Sequence, residues 1–308
     1  MINALTVDVE DYYQVQAFAD VIRPTDWHRY PPRVENNTYR LLEIFQRRGV
    51  RATFFILGWV AERCPDLVRD IFKAGHEIGS HGYSHQMIDR GNEKIFREDI
   101  QRAKSILEEQ LSIGIRCYRA PSYSITAKTL WALDVLADLG FDRDSSIFPV
   151  HHDNYGIPDA PRFPHYRVLR DGSRILEFPP STLSSFGVNL PVAGGGYFRL
   201  FPYRLTAWAI HRINKNEAQP AMVYLHPWEI DPEQPRIAGR VRSRFRHYTN
   251  LHSMEHKVRK LLQLRRFQSF QQMLASAAYS RAGADGRRDQ QETNSTTAAV
   301  AAHARVSQ

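Results

Sequence analysis

The first half of this 308-residue chain alternates short β-type runs with helix-length amphipathic segments. Residues 4–9 form the first β-type run, residues 37–48 carry a helical pattern, and residues 52–58 form the next β-type run. Such alternation is typical of βα units wound around a mainly parallel sheet. The pattern therefore predicts an α/β fold, and it continues through these segments: 65–74, 76–81, 93–111, 115–121 and 126–139.

The second half of the chain is less regular. Residues 149–200 contain many prolines and glycines around short β-like pieces, which indicates inserted or edge hairpins. Residues 221–226 restore the strand pattern, and residues 248–270 predict a final basic helix. We expect one domain over residues 1–280, because α/β chains of this length commonly form a single domain.

The composition of the C-terminal tail and the first residues of the chain predict disorder and the cellular compartment, respectively. Residues 281–308 are rich in Ala, Thr, Gln and Arg, so we expect a disordered tail. The first residues lack the basic and apolar regions of a secretion signal, and no apolar run reaches membrane-spanning length. A cytoplasmic protein is therefore expected, with Cys64 and Cys117 as reduced, structural thiols.

Positive charge is concentrated near the C-terminus. The net charge is +8, and residues 236–270 carry ten Lys or Arg against one Glu. Arginine at every second position suits an exposed strand or loop that contacts an acidic polymer, a membrane surface or solvent alone. No recognised nucleic-acid-binding motif accompanies this segment, so we expect no nucleic-acid partner. The alternating residues are Arg240, Arg242, Arg244 and Arg246.

Three acids, Asp8, Glu10 and Asp11, stand at the end of the first predicted strand. Buried together they would repel one another and lose solvation unless a cation or a proton is present. Side chains alternate along a strand, so Asp8 and Glu10 share a face while Asp11 projects from the turn. The alternative is a solvated cluster at a helix start, where acids are also favourable.

His81 and His85 follow another predicted strand and are four positions apart. This spacing brings two imidazoles to one ion on a helical turn or a tight loop. Two neutral imidazoles with one carboxylate leave coordination positions open for water and substrate. The pair therefore predicts a catalytic site for a divalent cation.

Arg119 and His226 end two further predicted strands. Arg119 could orient a carboxylate through charge-assisted hydrogen bonds, or lie on the surface like many arginines. His226 could act as a general acid near neutral pH, although a lone histidine is more often structural.

Together these segments resemble the NodB-type polysaccharide deacetylases of carbohydrate esterase family four, which fold as a distorted (β/α) barrel. The resemblance covers about residues 4–230. Further segments resemble the exopolysaccharide deacetylases associated with bacterial exosortase systems, whose C-terminal extension would correspond to residues 231–280. The first set of segments is 6–11, 79–85, 118–121 and 225–227, and the second is 8–15, 144–149, 194–199 and 226–229.

The resemblance implies a role for each matching residue. Asp8 is the general base, Arg119 supports it, His226 is the general acid, and His81 and His85 are metal ligands. The family commonly has two adjacent aspartates, base then ligand, whereas this chain has Asp8-Val9-Glu10-Asp11. We choose Asp11 as the acidic ligand, with Glu10 as the alternative.

Four other residues are assigned from the same resemblance. Asp144 corresponds to the acid that orients the catalytic histidine, although it could instead cap a helix before Ser145. Tyr123, Leu225 and Pro121 are expected to line the sugar pocket.

The implied reaction removes N-acetyl groups from hexosamine residues of a bacterial exopolysaccharide or its lipid-linked precursor, with Zn²⁺ as the expected cation. The basic C-terminal segment would approach the inner membrane face. A metal-independent glycoside hydrolase that uses two clustered carboxylates is one alternative, and a non-catalytic carbohydrate-binding protein is another. The first would leave His81, His85 and His226 without a role, and the second has little use for a base, an acid and a metal together.

Overall fold

A computed structural model describes residues 1–152, 155–192 and 194–276. The predicted disordered tail at 281–308 lies outside the described residues. The chain divides into a compact unit, Met1–Ser269, and a second unit that begins at Phe270. The residues of the candidate site all belong to the first unit.

The secondary structure follows the predicted alternation. The strands are β1 Ile2–Val9, β2 Thr53–Ile56, β3 Glu77–Ser80, β4 Cys117–Tyr118, β5 Arg143–Asp144, β6 His165–Val168, β7 Arg174–Glu177, β8 Thr182–Ser185, β9 Val188–Pro191, β10 Met222–Leu225 and β11 Arg266–Gln268. The α-helices are α1 Val34–Gln46, α2 Gly58–Arg63, α3 Pro65–Lys73, α4 Glu93–Leu111, α5 Trp131–Asp138, α6 Gly195–Leu200, α7 Tyr203–Asn216, α8 Val241–Tyr248, α9 Leu251–Leu264 and α10 Phe270–Ala275. The short 3₁₀ helices are Gln16–Phe18, Pro24–Arg29, Ile88–Arg90, Pro121–Tyr123 and Pro227–Ile230.

The main sheet has the order β10-β1-β2-β3-β4-β5-β7-β6, and β11 also pairs with β1. Every pair in it is parallel except the β6–β7 hairpin, while β8 and β9 form a separate antiparallel hairpin. The predicted α/β fold with a mainly parallel sheet is confirmed.

The chain after β7 returns to the other edge of the sheet. The Ser181 amide donates to the Met222 carbonyl at 3.4 Å, and the Met222 amide donates to Ser181 Oγ at 2.7 Å. These contacts bring the segment after β7 beside β10. In the described residues, strand pairing alone does not close the ring, so the arrangement is a distorted barrel.

Helix ends and burial follow from local sequence. The central strand β1 is buried from Asn3 to Val9, as expected for a parallel strand covered on both faces. Pro65 begins α3, where its missing amide proton costs nothing, and the helix buries Leu67, Val68 and Ile71. Asn92 caps α4 by accepting a hydrogen bond from the Ile95 amide at 3.0 Å.

Two predictions about the basic segment differ from the structure. The helix predicted over 248–270 is present but shorter: α9 covers Leu251–Leu264, preceded by Asn250, whose φ of 59° is left-handed, and followed by β11. The arginines from Arg242 to Arg246 lie on helix α8 rather than on a strand or extended loop. Alternating charge is a weak signal, because contacts elsewhere in the fold decide the backbone of so short a segment.

Neither cysteine is in a disulfide: Cys64 is half-buried and Cys117 is buried, both as free thiols. Among the described residues, no helix combines the length and the apolar character that crossing a membrane requires.

Candidate active site

The predicted site residues converge at the carboxyl ends of parallel strands. Asp8 and Glu10 come from the end of β1, His81 follows β3, Arg119 follows β4, and His226 follows β10. Ends of neighbouring parallel strands meet at one edge of a sheet or barrel, where active sites of α/β enzymes usually form. A cavity of about 260 Å³ lies there and is lined by Asp8, Glu10, His81, His85 and His226, among others.

Glu10, His81 and His85 form a buried cluster whose potential ligand atoms all lie within 4.8 Å of one another. Glu10 Oε2 lies 2.6 Å from His85 Nε2, and His81 Nδ1 lies 2.8 Å from the Arg119 carbonyl oxygen. A proton on Nδ1 would be donated to that carbonyl, which leaves Nε2 of His81 for a ligand. Two imidazoles and a carboxylate are a donor set that fits a divalent cation.

Protonation states agree with this donor set. Burial lowers the pKa of His81 to about 4, so its imidazole is neutral near pH 7. Burial alone would raise the pKa of Glu10, but the nearby charge and hydrogen bond of His85 outweigh it and lower that pKa. The neutral His81 imidazole and the ionised Glu10 carboxylate are the forms that bind cations, and His85 would release its proton when a cation binds.

Asp11, the acid chosen from the family pattern, lies elsewhere. Its carboxylate accepts hydrogen bonds from the backbone amides of Tyr12 at 2.9 Å, Arg33 at 2.7 Å and Val34 at 2.9 Å. These bonds hold the start of α1. Burial raises the pKa of Asp11 to about 6, against the opposing effect of these donors. The structure therefore places Glu10, the alternative acid, beside the histidines.

Arg119 is fully buried and holds Asp8, so it is not an ordinary surface arginine. Its Nη1 donates to Asp8 Oδ1 at 2.6 Å and to Thr6 Oγ1 at 2.7 Å, while Nη2 donates to Ser145 Oγ at 2.8 Å. Asp8 Oδ2 remains on the side of His226, with 3.8 Å between Oδ2 and Nε2. The predicted pairing of Arg119 with Asp8 is present in the structure.

His226 is supported by Glu229, a residue that the sequence analysis did not assign. Glu229 Oε2 lies 3.3 Å from His226 Nδ1 and accepts a hydrogen bond from the His226 amide at 2.9 Å. Glu229 Oε1 accepts from Nε of the buried Arg199 at 2.8 Å. Burial opposes protonation of His226, but the charge and hydrogen bond of Glu229 dominate and raise its pKa to about 9.

Asp144 does not reach His226. Its Oδ1 accepts a hydrogen bond from Ser146 Oγ at 2.6 Å, and it interacts with the buried carboxyl of Glu177. Asp144 ends β5, so it does not cap a helix either. Glu229 could have been predicted as the partner of His226 from its position three residues later, in a turn that begins at Pro227.

Trp228 connects the two parts of the site. Its ring stacks between the rings of His226, 5.1 Å away, and His247, 4.2 Å away. Its indole Nε1 donates to Glu10 Oε1 at 3.2 Å. A single side chain thus contacts both Glu10 of the ligand cluster and His226.

Of the three predicted pocket residues, Tyr123 lines the cavity. Ser122 and Tyr123 both have left-handed φ values, 53° and 54°, a strained conformation that often marks functional sites. Leu225 does not line the cavity but belongs to the hydrophobic core, because alternation along β10 turns Tyr224 toward the cavity and its neighbour away. Pro121 is buried at the start of a 3₁₀ helix and is likewise absent from the lining.

Two protein families match consecutive parts of the chain. Residues 26–143 match the family Polysaccharide deacetylase, and residues 145–275 match a family described as Domain of unknown function (DUF3473). The boundary falls at β5. His81, His85 and Arg119 lie in the first match, whereas Arg199, His226 and Glu229 lie in the second.

Curated relatives match shorter stretches. A peptidoglycan-N-acetylglucosamine deacetylase from Bacillus cereus is 35% identical over 98 residues, which cover 32% of this chain and 36% of that protein. A chitooligosaccharide deacetylase from Sinorhizobium fredii is 31% identical over 100 residues, which cover 32% of this chain and 44% of that protein. The chain thus spans less than half the length of these relatives.

A solved structure shares the fold over most of its length. The crystal structure of a candidate polysaccharide deacetylase from Mycobacterium smegmatis superposes with a TM-score of 0.57 at 22% identity, covering 91% of each chain. This likeness shows that the chain shares the fold of that structure. In sequence, residues 26–143 are similar to the family Polysaccharide deacetylase, and the segment that follows is similar to the family of unknown function.

Proposed function

We propose that this protein is a metal-dependent deacetylase that removes N-acetyl groups from hexosamine residues of a polysaccharide. The observation that carries the proposal is the cluster of Glu10, His81 and His85, which shares one cavity with Asp8 and His226. A divalent cation held by Glu10, His81 and His85 would supply Lewis acidity for polarising a carbonyl oxygen and acidifying water, and Zn²⁺ suits this nitrogen and oxygen donor set.

Asp8 and His226 divide the proton transfers. Asp8 accepts the proton of the attacking water, because Arg119 holds Oδ1 and leaves Oδ2 toward the cavity. An amide nitrogen leaves poorly unless it is protonated, so the reaction also needs an acid. His226 supplies that proton, since Glu229 favours its protonated form near neutral pH.

The region matched by the domain of unknown function is, in this proposal, half of the catalytic site. It contributes His226, its partner Glu229 and the buried Arg199 that neutralises Glu229. The first region contributes the deacetylase match and the two histidines of the metal cluster. Neither region alone would supply both a metal site and a general acid.

The substrate class is proposed from resemblance. The names of the relatives specify peptidoglycan N-acetylglucosamine and chitooligosaccharide, which are both polymers of N-acetylated hexosamine. The motif resemblance favours a bacterial exopolysaccharide or its lipid-linked precursor, modified at the cytoplasmic face of the membrane. A glycoside hydrolase would need two carboxylates but no cation, and would shorten the chain.

The test is metal analysis of the purified protein combined with acetate release from N-acetylglucosamine oligomers. We expect bound divalent metal, acetate release without change in oligomer length, and loss of activity on chelation that Zn²⁺ restores.

Asp8→Asn is expected to keep its metal and lose about 10²- to 10⁴-fold in rate. Asp171→Asn, in an exposed turn, is the control and should behave like the wild type. Full activity of Asp8→Asn, or shortened oligomers, would exclude this mechanism.

A further inference from the structure

Arg246 is a cationic side chain in the cavity that the proposed reaction does not use. It extends from α8 and lines the same cavity as Asp8, Glu10 and His226. The other cavity arginine, Arg199, is buried and bound to Glu229, whereas Arg246 is exposed. Within the described part of the chain, Arg246 forms no ion pair, because no carboxylate oxygen lies within 4 Å of its guanidinium nitrogens.

The charge balance of the site makes this arginine significant. In and around the cavity, three carboxylates, Asp8, Glu10 and Glu229, face two buried arginines, Arg119 and Arg199. The divalent cation of the proposed function and the protonated His226 turn this balance into two net positive charges, and Arg246 raises it to three. A concave site of one sign concentrates ligands of the opposite sign.

A neutral N-acetylhexosamine polymer would leave that excess positive charge without a partner. We propose that Arg246 binds an anionic group, such as a uronate carboxylate, on a sugar near the residue that loses its acetyl group. The planar guanidinium can bind a carboxylate through two parallel hydrogen bonds. The inference rests on the proposed function and makes its substrate an acidic polysaccharide.

An anionic membrane is the other partner that α8 could serve. The helix also exposes Val241, Phe245 and the arginines Arg242 and Arg244. A bilayer surface, however, does not enter a cavity, and Arg246 lines the cavity that contains Asp8 and His226. The position of this one arginine therefore favours the polysaccharide.

The experiment compares two oligomers on the metal-loaded, full-length enzyme: a neutral N-acetylglucosamine pentamer and a hyaluronan hexasaccharide, in which N-acetylglucosamine alternates with glucuronate. Arg246→Ala should raise KM for the hyaluronan oligomer about three- to tenfold, with little change in kcat and no change for the neutral oligomer. Arg246→Lys should recover part of the loss. Arg242→Ala, on the same helix but outside the cavity lining, is the matched control.

Equilibrium binding of a fluorescent hyaluronan oligomer separates this inference from the deacetylase proposal. Arg246-dependent binding without acetate release from either oligomer would leave the anion site standing and overturn the proposed reaction. Equal losses for the neutral and the acidic oligomer would overturn the anion site. Arg246-dependent sedimentation with phosphatidylglycerol vesicles, with unchanged hyaluronan binding, would also overturn it and assign α8 to the membrane.

Discussion

The candidate site has two halves, a metal half and an acid half, and buried charge is balanced differently in each. In the metal half, Glu10, His81 and His85 point their ligand atoms at one another. In the acid half, Glu229 lies between His226 and the buried Arg199, so the protein supplies its own countercharge.

This difference follows from what each half must do. A buried carboxylate is costly unless it is paired, and Arg199 pairs Glu229 permanently. The ligand cluster lacks an arginine of its own in the described residues, because Arg119 is bound to Asp8. Under the proposed function, an exchangeable ion would complete the metal half, whereas a fixed ion pair completes the acid half.

The largest effect is expected from a substitution in the metal half. Glu10→Gln removes an anionic ligand, so metal affinity should fall at least about 100-fold, and acetate release with it. Asp11→Asn should keep the metal but lose about 1–3 kcal/mol of unfolding free energy, because its amide group would face a backbone N–H donor. Metal stoichiometry and urea unfolding check both variants. Metal loss in Asp11→Asn alone would reverse the assignment of the acidic ligand.

A smaller effect is expected in the acid half. Glu229→Gln should lower kcat about 10- to 100-fold with normal metal content, because His226 loses its charged partner. It should also destabilise the fold by about 3–5 kcal/mol, since Arg199 stays buried and unpaired.

The double variant Arg199→Met/Glu229→Gln distinguishes a positioning role from a structural one. Removing both charges should recover most of the unfolding free energy, because buried ion pairs are often replaceable by apolar groups. The low kcat should persist. Recovery of kcat together with stability would show that Glu229 acts only on the fold.

The smallest effect is expected at the buried carboxyl pair of Asp144 and Glu177, which lies outside both halves. Burial and the charge of Asp144 raise the pKa of Glu177 well above its ordinary value of 4.5. The folded state then holds a proton that the unfolded state releases, so this contribution to stability is complete below pH 4.5 and is lost as pH rises toward the raised pKa. Glu177→Gln cannot release a proton, so its unfolding free energy should fall less with rising pH than that of the wild type.

Urea unfolding measured across this pH range checks that prediction, and a stability difference independent of pH would contradict it. Asp144→Asn should leave kcat unchanged, because Asp144 lies with Glu177 and Ser146 rather than with His226. A fall in kcat as large as that of Glu229→Gln would instead restore Asp144 as the orienting acid.

Much of the fold and half of the site followed from local sequence. The βα alternation predicted the parallel sheet, and residues in or just after the ends of predicted strands included Asp8, His81, His85, Arg119 and His226, which the structure brings together. The ends of strands can be predicted from the sequence because hydrophobic periodicity is a local property. The helix predicted over 248–270 is present but shorter, at Leu251–Leu264, because contacts distant in sequence decide where short helices end.

The sequence by itself determined which strand ends carry reactive side chains, and even that Asp8 and Glu10 share a face. Only the tertiary structure placed Glu10 beside the histidines and Asp11 away from them, because Asp11 accepts hydrogen bonds from the backbone amides at the start of α1. It also gave His226 its partner Glu229 rather than Asp144, through the ion pair with Arg199. Such choices depend on the direction of each side chain and on donors far along the chain, which no local pattern encodes.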